Sequence, residues 1–156
     1  MAMLRVLFVC THNGARSRIA EEFAQLAAPG RIEASSASFE SNTIGPLAVS
    51  VMNEVGIELQ TVPPKSVFER LKDGEGFDCV IALCDPASNE QVPIFLSNLD
   101  VLYRTTAQRV NWSIPNFRSL SGTAEEQKAQ ARQIRDRIRT EVLRFLSQLG
   151  IDSDVA

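Results

Sequence analysis

Residues 7–20 read LFVCTHNGARSRIA. An apolar run stops at Cys10, a polar loop follows, and Arg16-Ser17 opens an amphipathic stretch. Extended back to Leu4, the run becomes LRVLFVC (residues 4–10), short, β-branched and bounded by polar residues, as in a buried parallel strand. From Ser17, the apolar residues Ile19, Ala20, Phe23, Leu26 and Ala27 recur at helical spacing, and Pro29-Gly30 ends the pattern. A strand that feeds a helix through a short loop is the repeating unit of parallel α/β sheets.

The loop carries its own chemistry. Cys10 to Arg16 spells Cys-x5-Arg, and the backbone N–H groups of Thr11, His12, Asn13, Gly14 and Ala15 can converge there on an anion, capped by the helix N-terminus. Gly14, and to a lesser degree Asn13, tolerate the backbone angles such a nest requires. Arg16 adds a planar fork able to hold two oxygens of a tetrahedral oxyanion. The same positive field favours the thiolate of Cys10, and Ser17 is placed to donate a hydrogen bond to it. His12 either tunes that thiolate or points away from the ligand. The constellation binds an oxyanion and presents a nucleophile to it.

The remainder of the chain extends the same alternation. RIEASSA (31–37) reads as a second strand and IGPLAVSVMNEVG (44–56) as a helix, with Pro46 in its first turn and Gly56 past its end. KSVFERL (65–71) is a weaker helix, and FDCVIALC (77–84) a strongly apolar strand. Strands are possible at DVLY (100–103) and QRVNW (108–112). Thr123 and Glu126 form a capping box, after which Ala131, Ile134, Ile138, Val142, Phe145 and Leu149 make an apolar stripe ending at Gly150. The charges opposite that stripe, Arg132, Arg135, Asp136, Arg137, Arg139 and Arg144, read as a solvated face rather than a binding patch. The expected architecture is a three-layer α/β/α fold, one domain over residues 1–156, with a four-stranded, mostly parallel sheet. Ligands of such sheets bind beyond the carboxyl ends of the strands, where Cys10 and Cys84 both fall.

Composition sets bounds on partners. The 156 residues are 44% hydrophobic and 22% charged, as in a folded globular chain, and a net charge of −3 gives no reason to expect nucleic acid. No apolar run is long enough for a membrane span, and MAMLRVLFVC is too short for a signal peptide. Three cysteines, an odd number, argue against a disulfide framework and for a reducing compartment, which places the chain in the cytoplasm. No metal or bound organic cofactor is implied.

The stretch VLFVCTHNGARSRIAEEFA (6–24) resembles the phosphate-loop signature of the low-molecular-weight protein tyrosine phosphatase superfamily, and the chain is most similar to its arsenate reductase branch. The likeness continues through residues 44–59, KSVFERL, FDCVIALCD, NWSIP and GTAEEQKAQARQIRDRI, nearly the whole chain. The resemblance implies that Cys10 is the nucleophile, that Arg16 binds the oxyanion, that Asn13 buttresses the loop and that Ser17 stabilises the thiolate. It also implies a second cysteine that attacks the Cys10 sulfur and releases arsenite, a position Cys84 occupies. The alternative for Cys84 is a small buried hydrophobe.

Two departures from that pattern stand out. The branch carries a third cysteine a few residues on, where this chain has Gln91 or Val92. Cys79 is a poor substitute, since its five-residue separation from Cys84 puts the two on opposite faces of a strand. An external thiol then has to act, on a Cys10–Cys84 disulfide or in the site itself: thioredoxin, glutaredoxin with glutathione, or mycothiol. Second, relatives place an Asp-Pro pair after the tryptophan, the aspartate protonating the leaving group; here NWSIPNF puts Asn116 and Phe117 there. Asp85, Glu90 and Asp100 are possible replacements, with surface or capping roles as the default. The stretch 95–110 looks longer than its counterpart and is either a lid or a peripheral insertion.

The leading function is a thiol-dependent arsenate reductase, Cys10 attacking the oxyanion and Cys84 or an external thiol resolving the adduct; the alternatives are a low-molecular-weight phosphatase working through a Cys10 phosphoenzyme and an oxyanion-binding protein with little catalysis. A monomer or weak dimer is expected.

Overall fold

The computed structural model describes residues 3–12, 15–40, 43–72, 76–85 and 108–151. Four strands form one sheet: β1 (Leu4–His12), β2 (Ile32–Glu40), β3 (Cys79–Ala82) and β4 (Gln108–Asn111). Their order is β2-β1-β3-β4, and every pairing is parallel. Among the described residues the α-helices are α1 (Ala15–Ala27), α2 (Pro46–Asn53), α3 (Val67–Lys72) and α4 (Ala124–Gln148). The expected strand at 100–103 and most of the stretch 95–110 lie outside the described residues.

Alternation along the central strands splits the core in two. Val6, Phe8, Cys79, Ile81 and Leu83 face α1, α2 and α4, packing with Ile19, Phe23, Met52 and Ile138. Leu7, Val9, Val80, Ala82 and Cys84 face the other way, against Val67 of α3 and Phe77. A strand buried on both faces needs apolar residues at every position, which is why LFVC and CVIA read as continuous runs.

Several boundaries differ from the sequence reading. β1 runs past Cys10 to His12, because Cys10 and His12 still pair with Ser38 and Glu40 of a β2 that also extends to residue 40. α1 starts at Ala15, ahead of Ser17, so Arg16 lies in its first turn. The helix expected over 44–56 is cut to Pro46–Asn53, and the chain leaves it through Gly56 at φ +80°, an angle that favours glycine.

In α4 the Thr123–Glu126 capping box forms as expected, and Ala131, Ile134, Ile138 and Val142 are buried. The stripe then passes to Leu146 rather than Phe145 and Leu149; Phe145 is only partly buried and Leu149 is exposed. A helix of 25 residues drifts against a strict 3.5-residue repeat, so the buried line shifts by one position near its end. The arginine face is not wholly solvated either. Arg135 is buried, with Nη1 donating to the Val51 carbonyl at 2.9 Å and to Glu54 Oε1 at 2.9 Å. Arg132 closes on the same carboxylate at 2.7 Å, which fastens α4 to the end of α2.

The strand order locates the site. From β1 the chain winds outward to β2, then returns to place β3 on the other side of β1. In parallel sheets of this kind ligands bind at the reversal, beyond the carboxyl ends of the strands. Cys10 lies toward that end of β1 and Cys84 just past that end of β3.

Candidate active site

Cys10 is fully buried, and its Sγ lies 3.3 Å from Ser17 Oγ. The Ser17 hydroxyl in turn donates to the Ala37 carbonyl of β2 at 3.3 Å. A hydroxyl carries one hydrogen, so it serves either the carbonyl or a Cys10 thiolate. With Cys10 as a thiol, the S–H can donate to Ser17; with Cys10 ionised, the serine hydrogen can turn to sulfur. α1 enforces this contact by burying Ile19, Ala20 and Phe23 one turn on, which fixes the face that Ser17 presents.

Arg16 is 1% exposed, unusual for a guanidinium, and the backbone supplies what burial demands. Its Nη1 donates to the Leu83 carbonyl at 2.7 Å and to the Ile114 carbonyl at 3.0 Å. Arg16 thereby ties the start of α1 to the end of β3 and to the segment after β4.

The rest of the predicted nest is only partly in view. Thr11 is half-buried in β1, His12 closes β1, and Ala15 is buried at the start of α1. Asn13 and Gly14, the whole connection between β1 and α1, lie outside the described residues.

Cys84 is fully buried on the second face, among Leu7, Val9 and Ala82. It lies two residues past β3, which stops at Ala82 instead of reaching residue 84 as the apolar run implied. The reason is a residue the sequence reading passed over. Asn111 Oδ1 accepts from the Cys84 N–H at 2.9 Å, and its Nδ2 donates to the Cys84 carbonyl at 3.1 Å, so a side chain replaces the ladder there. Sequence spacing gives no signal for such a substitution. Cys79 lies on the opposite face in the core, and burial pushes its thiol pKa up, with Asp78 adding to the effect. The three cysteines are not joined by a disulfide.

Asn116 is buried and holds a turn together. Its Oδ1 accepts from the Arg118 N–H at 3.0 Å, capping the single 3-10 turn Phe117–Ser119, and its carbonyl accepts from Ser119 Oγ at 2.7 Å. Trp112 anchors this segment, its ring 5.8 Å from that of Phe8 and 6.1 Å from that of Phe145. Of the alternative acids, Asp85 is half-buried next to Cys84, while Glu90 and Asp100 lie outside the described residues. Among the described residues, no three His, Cys, Asp or Glu side chains gather as a metal site. Among the described residues, no helix is long and apolar enough to cross a membrane.

Comparison with known proteins gives consistent matches. Residues 5–154 match the sequence model of the family described as low molecular weight phosphotyrosine protein phosphatase. A protein named glutaredoxin arsenate reductase, from Synechocystis sp., is 39% identical over 84 residues, 53% of this chain and 61% of its own length. A protein named arsenate reductase from Halalkalibacterium halodurans is 29% identical over 140 residues, 90% of this chain and 93% of its own. Among solved structures, an arsenate reductase in the phosphate binding state superposes with a TM-score of 0.69 at 26% identity, covering 94% of this chain and 98% of that one.

Proposed function

The chain belongs to the low molecular weight phosphotyrosine protein phosphatase family, and we propose that within it the protein is a thiol-dependent arsenate reductase. The observation that carries this reading is the pairing, at one rim, of a Cys10 sulfur 3.3 Å from Ser17 Oγ with a second cysteine, Cys84, just beyond the neighbouring parallel strand. A phosphatase has no use for the second thiol. A reductase has to find one, on its own chain or outside it.

In this reading the Cys10 thiolate attacks the arsenic of arsenate held by Arg16 and the loop amides. An S–As bond forms, an As–O bond breaks, and the oxygen leaves as water after protonation. The Cys84 thiol gives its proton to an arsenic-bound oxygen, and its sulfur attacks Cys10 Sγ. The S–S bond forms, the S–As bond breaks, and its electron pair stays on arsenic, which departs as arsenite. Arsenic gains two electrons and two thiols become one disulfide. With Gln91 and Val92 where a third cysteine would stand, an external thiol has to return the two electrons. Glutathione with glutaredoxin is our choice of reductant, supported by the name of the Synechocystis relative, and the cytoplasm is the compartment that supplies it.

Asn116 weighs against the phosphatase alternative. A carboxamide N–H is far too weakly acidic to protonate a departing phenoxide, and loss of general acid catalysis costs about 10²–10⁴-fold. Water leaving a protonated arsenate depends on that acid less.

The test is arsenite production from arsenate by the purified protein with glutaredoxin and glutathione, with thioredoxin, and with mycothiol and mycoredoxin, beside a Cys84→Ser variant. Turnover lost in the variant assigns Cys84 as the resolving thiol, and turnover retained assigns that step to the external thiol. Bound arsenate with no arsenite from any system rejects the reductase and leaves a phosphatase or an oxyanion-binding protein.

A further inference from the structure

We propose that Asn111 is a positioning residue for the second thiol. Its side-chain amide holds the Cys84 thiol on the face of the sheet away from Cys10, and release of that grip sets how fast Cys84 reaches Cys10.

The β3–β4 ladder ends at the Ala82–Asn111 pair, with Trp112 N–H donating to the Ala82 carbonyl at 2.8 Å. Beyond that point the two chains part. Asn111 takes up both backbone groups of Cys84, at 2.9 Å and 3.1 Å, and its Nδ2 also lies 3.5 Å from Ser113 Oγ. A carboxamide offers one acceptor and a donor in the arrangement of a peptide unit, so one side chain substitutes for the missing strand residue. Aspartate lacks the donor, and serine is too short to meet both groups.

What this grip holds is a thiol turned the wrong way. Cys84 is buried with Leu7, Val9 and Val67 on the α3 face. Cys10 follows Phe8 by two residues on β1 and touches Ser17 at the start of α1, which places its sulfur on the other face. The β1–β3 ladder ends at the Val9–Ala82 pair, one residue before Cys10 and two before Cys84, and side-chain direction sets the two sulfurs on opposite faces. Turning Cys84 toward Cys10 rotates the peptide planes on both sides of it, and Asn111 is bonded to one group in each. The neighbouring restraint, Arg16 Nη1 on the Leu83 carbonyl at 2.7 Å, belongs to the residue assigned above to the oxyanion site. Asn111 is bonded to Cys84 and stands outside that site.

The role assigned to Asn111 rests on Cys84 being the resolving thiol, but its test needs no arsenate. The reduced full-length protein, Asn111→Ala and Asn111→Asp are labelled with iodoacetamide, and the rate at each cysteine is read by mass spectrometry. Losing both hydrogen bonds is expected to speed labelling of Cys84 about tenfold in Asn111→Ala, with Cys10 and Cys79 unchanged. Asn111→Asp, of the same shape and keeping the acceptor, is expected to show a smaller rise. In single turnover with arsenate, Asn111→Ala should form the Cys10–Cys84 disulfide faster while KM for arsenate holds. An unchanged Cys84 rate overturns the proposal, as does a common rise at all three cysteines, which would report a loosened fold. If the labelling behaves as expected and no arsenite appears, the grip stands and the reductase reading fails.

Discussion

Cys10, near the end of β1, and Cys84, two residues past the end of the parallel neighbour β3, belong to opposite faces of the sheet, Cys10 beside Ser17 of α1 and Cys84 among Leu7, Val9 and Val67. A disulfide between them is therefore not a local event. It requires the backbone around Leu83 and Cys84 to turn, which breaks the bonds from Arg16 to the Leu83 carbonyl and from Asn111 to Cys84. Hydrogen exchange on reduced and arsenate-oxidised protein should show protection falling at Cys84, whose N–H is held by Asn111 at 2.9 Å. Unaltered protection there would mean that the external thiol attacks the Cys10 adduct directly.

Asn116→Asp should turn the protein toward phosphatase chemistry. The aspartate keeps the oxygen that accepts from Arg118 N–H, so the cap and the turn Phe117–Ser119 survive the change. It adds the proton donor that an aryl leaving group needs. Turnover of para-nitrophenyl phosphate should rise, with about 10²-fold as the lower end of what general acid catalysis supplies. The gain should vanish in an Asn116→Asp, Cys10→Ser double variant. No gain would mean that residue 116 does not face the leaving group.

The sheet and its rim were legible because their signals are local. Continuous apolar runs, a capping box and a strand-loop-helix passage with Cys and Arg at its ends are all read within one segment of chain. What stayed hidden depends on contacts between distant segments. The true end of β3 is set by Asn111, 27 residues after Cys84, and the burial of Arg135 by Val51 and Glu54 on α2. The length of β1 follows from how far β2 accompanies it. The contact of Cys10 with Ser17 was readable from the sequence around it, whereas the direction of the Cys84 side chain needed the sheet.

Glu54 should make stability depend on acid. Its carboxylate meets Arg132 at 2.7 Å, Arg135 at 2.9 Å and Lys128 at 3.8 Å, and the Arg132 hydrogen bond leads in lowering its pKa from 4.5 to about 2. A carboxylate depressed in the folded state binds protons more readily when unfolded. Its contribution is thus complete above pH 4.5 and is lost as pH falls toward about 2. Glu54→Gln should lower Tm at pH 7, and the gap from wild type should close across that acid window. Because the cluster is partly exposed, added salt should narrow the gap as well. A gap independent of both pH and salt would assign the loss to packing.

Arg16→Lys should separate the structural role of Arg16 from its role at the oxyanion. The guanidinium is 1% exposed, and one nitrogen spans the Leu83 and Ile114 carbonyls at 2.7 and 3.0 Å. A lysine brings a single strongly hydrated ammonium that cannot bridge both carbonyls and also offer a fork to an anion. Each hydrogen bond to a charged group is worth about 1.5–3 kcal/mol, so losing one at the anion weakens phosphate binding about 10–100-fold. Phosphate inhibition of arsenate reduction, or isothermal calorimetry with phosphate alone, reads that loss. Thermal unfolding of the unliganded protein reads the carbonyl bonds separately, and Tm should fall as well. A variant with lowered Tm but unchanged phosphate affinity would make Arg16 a brace between β3 and the segment after β4, and the oxyanion would have to be held by the loop amides.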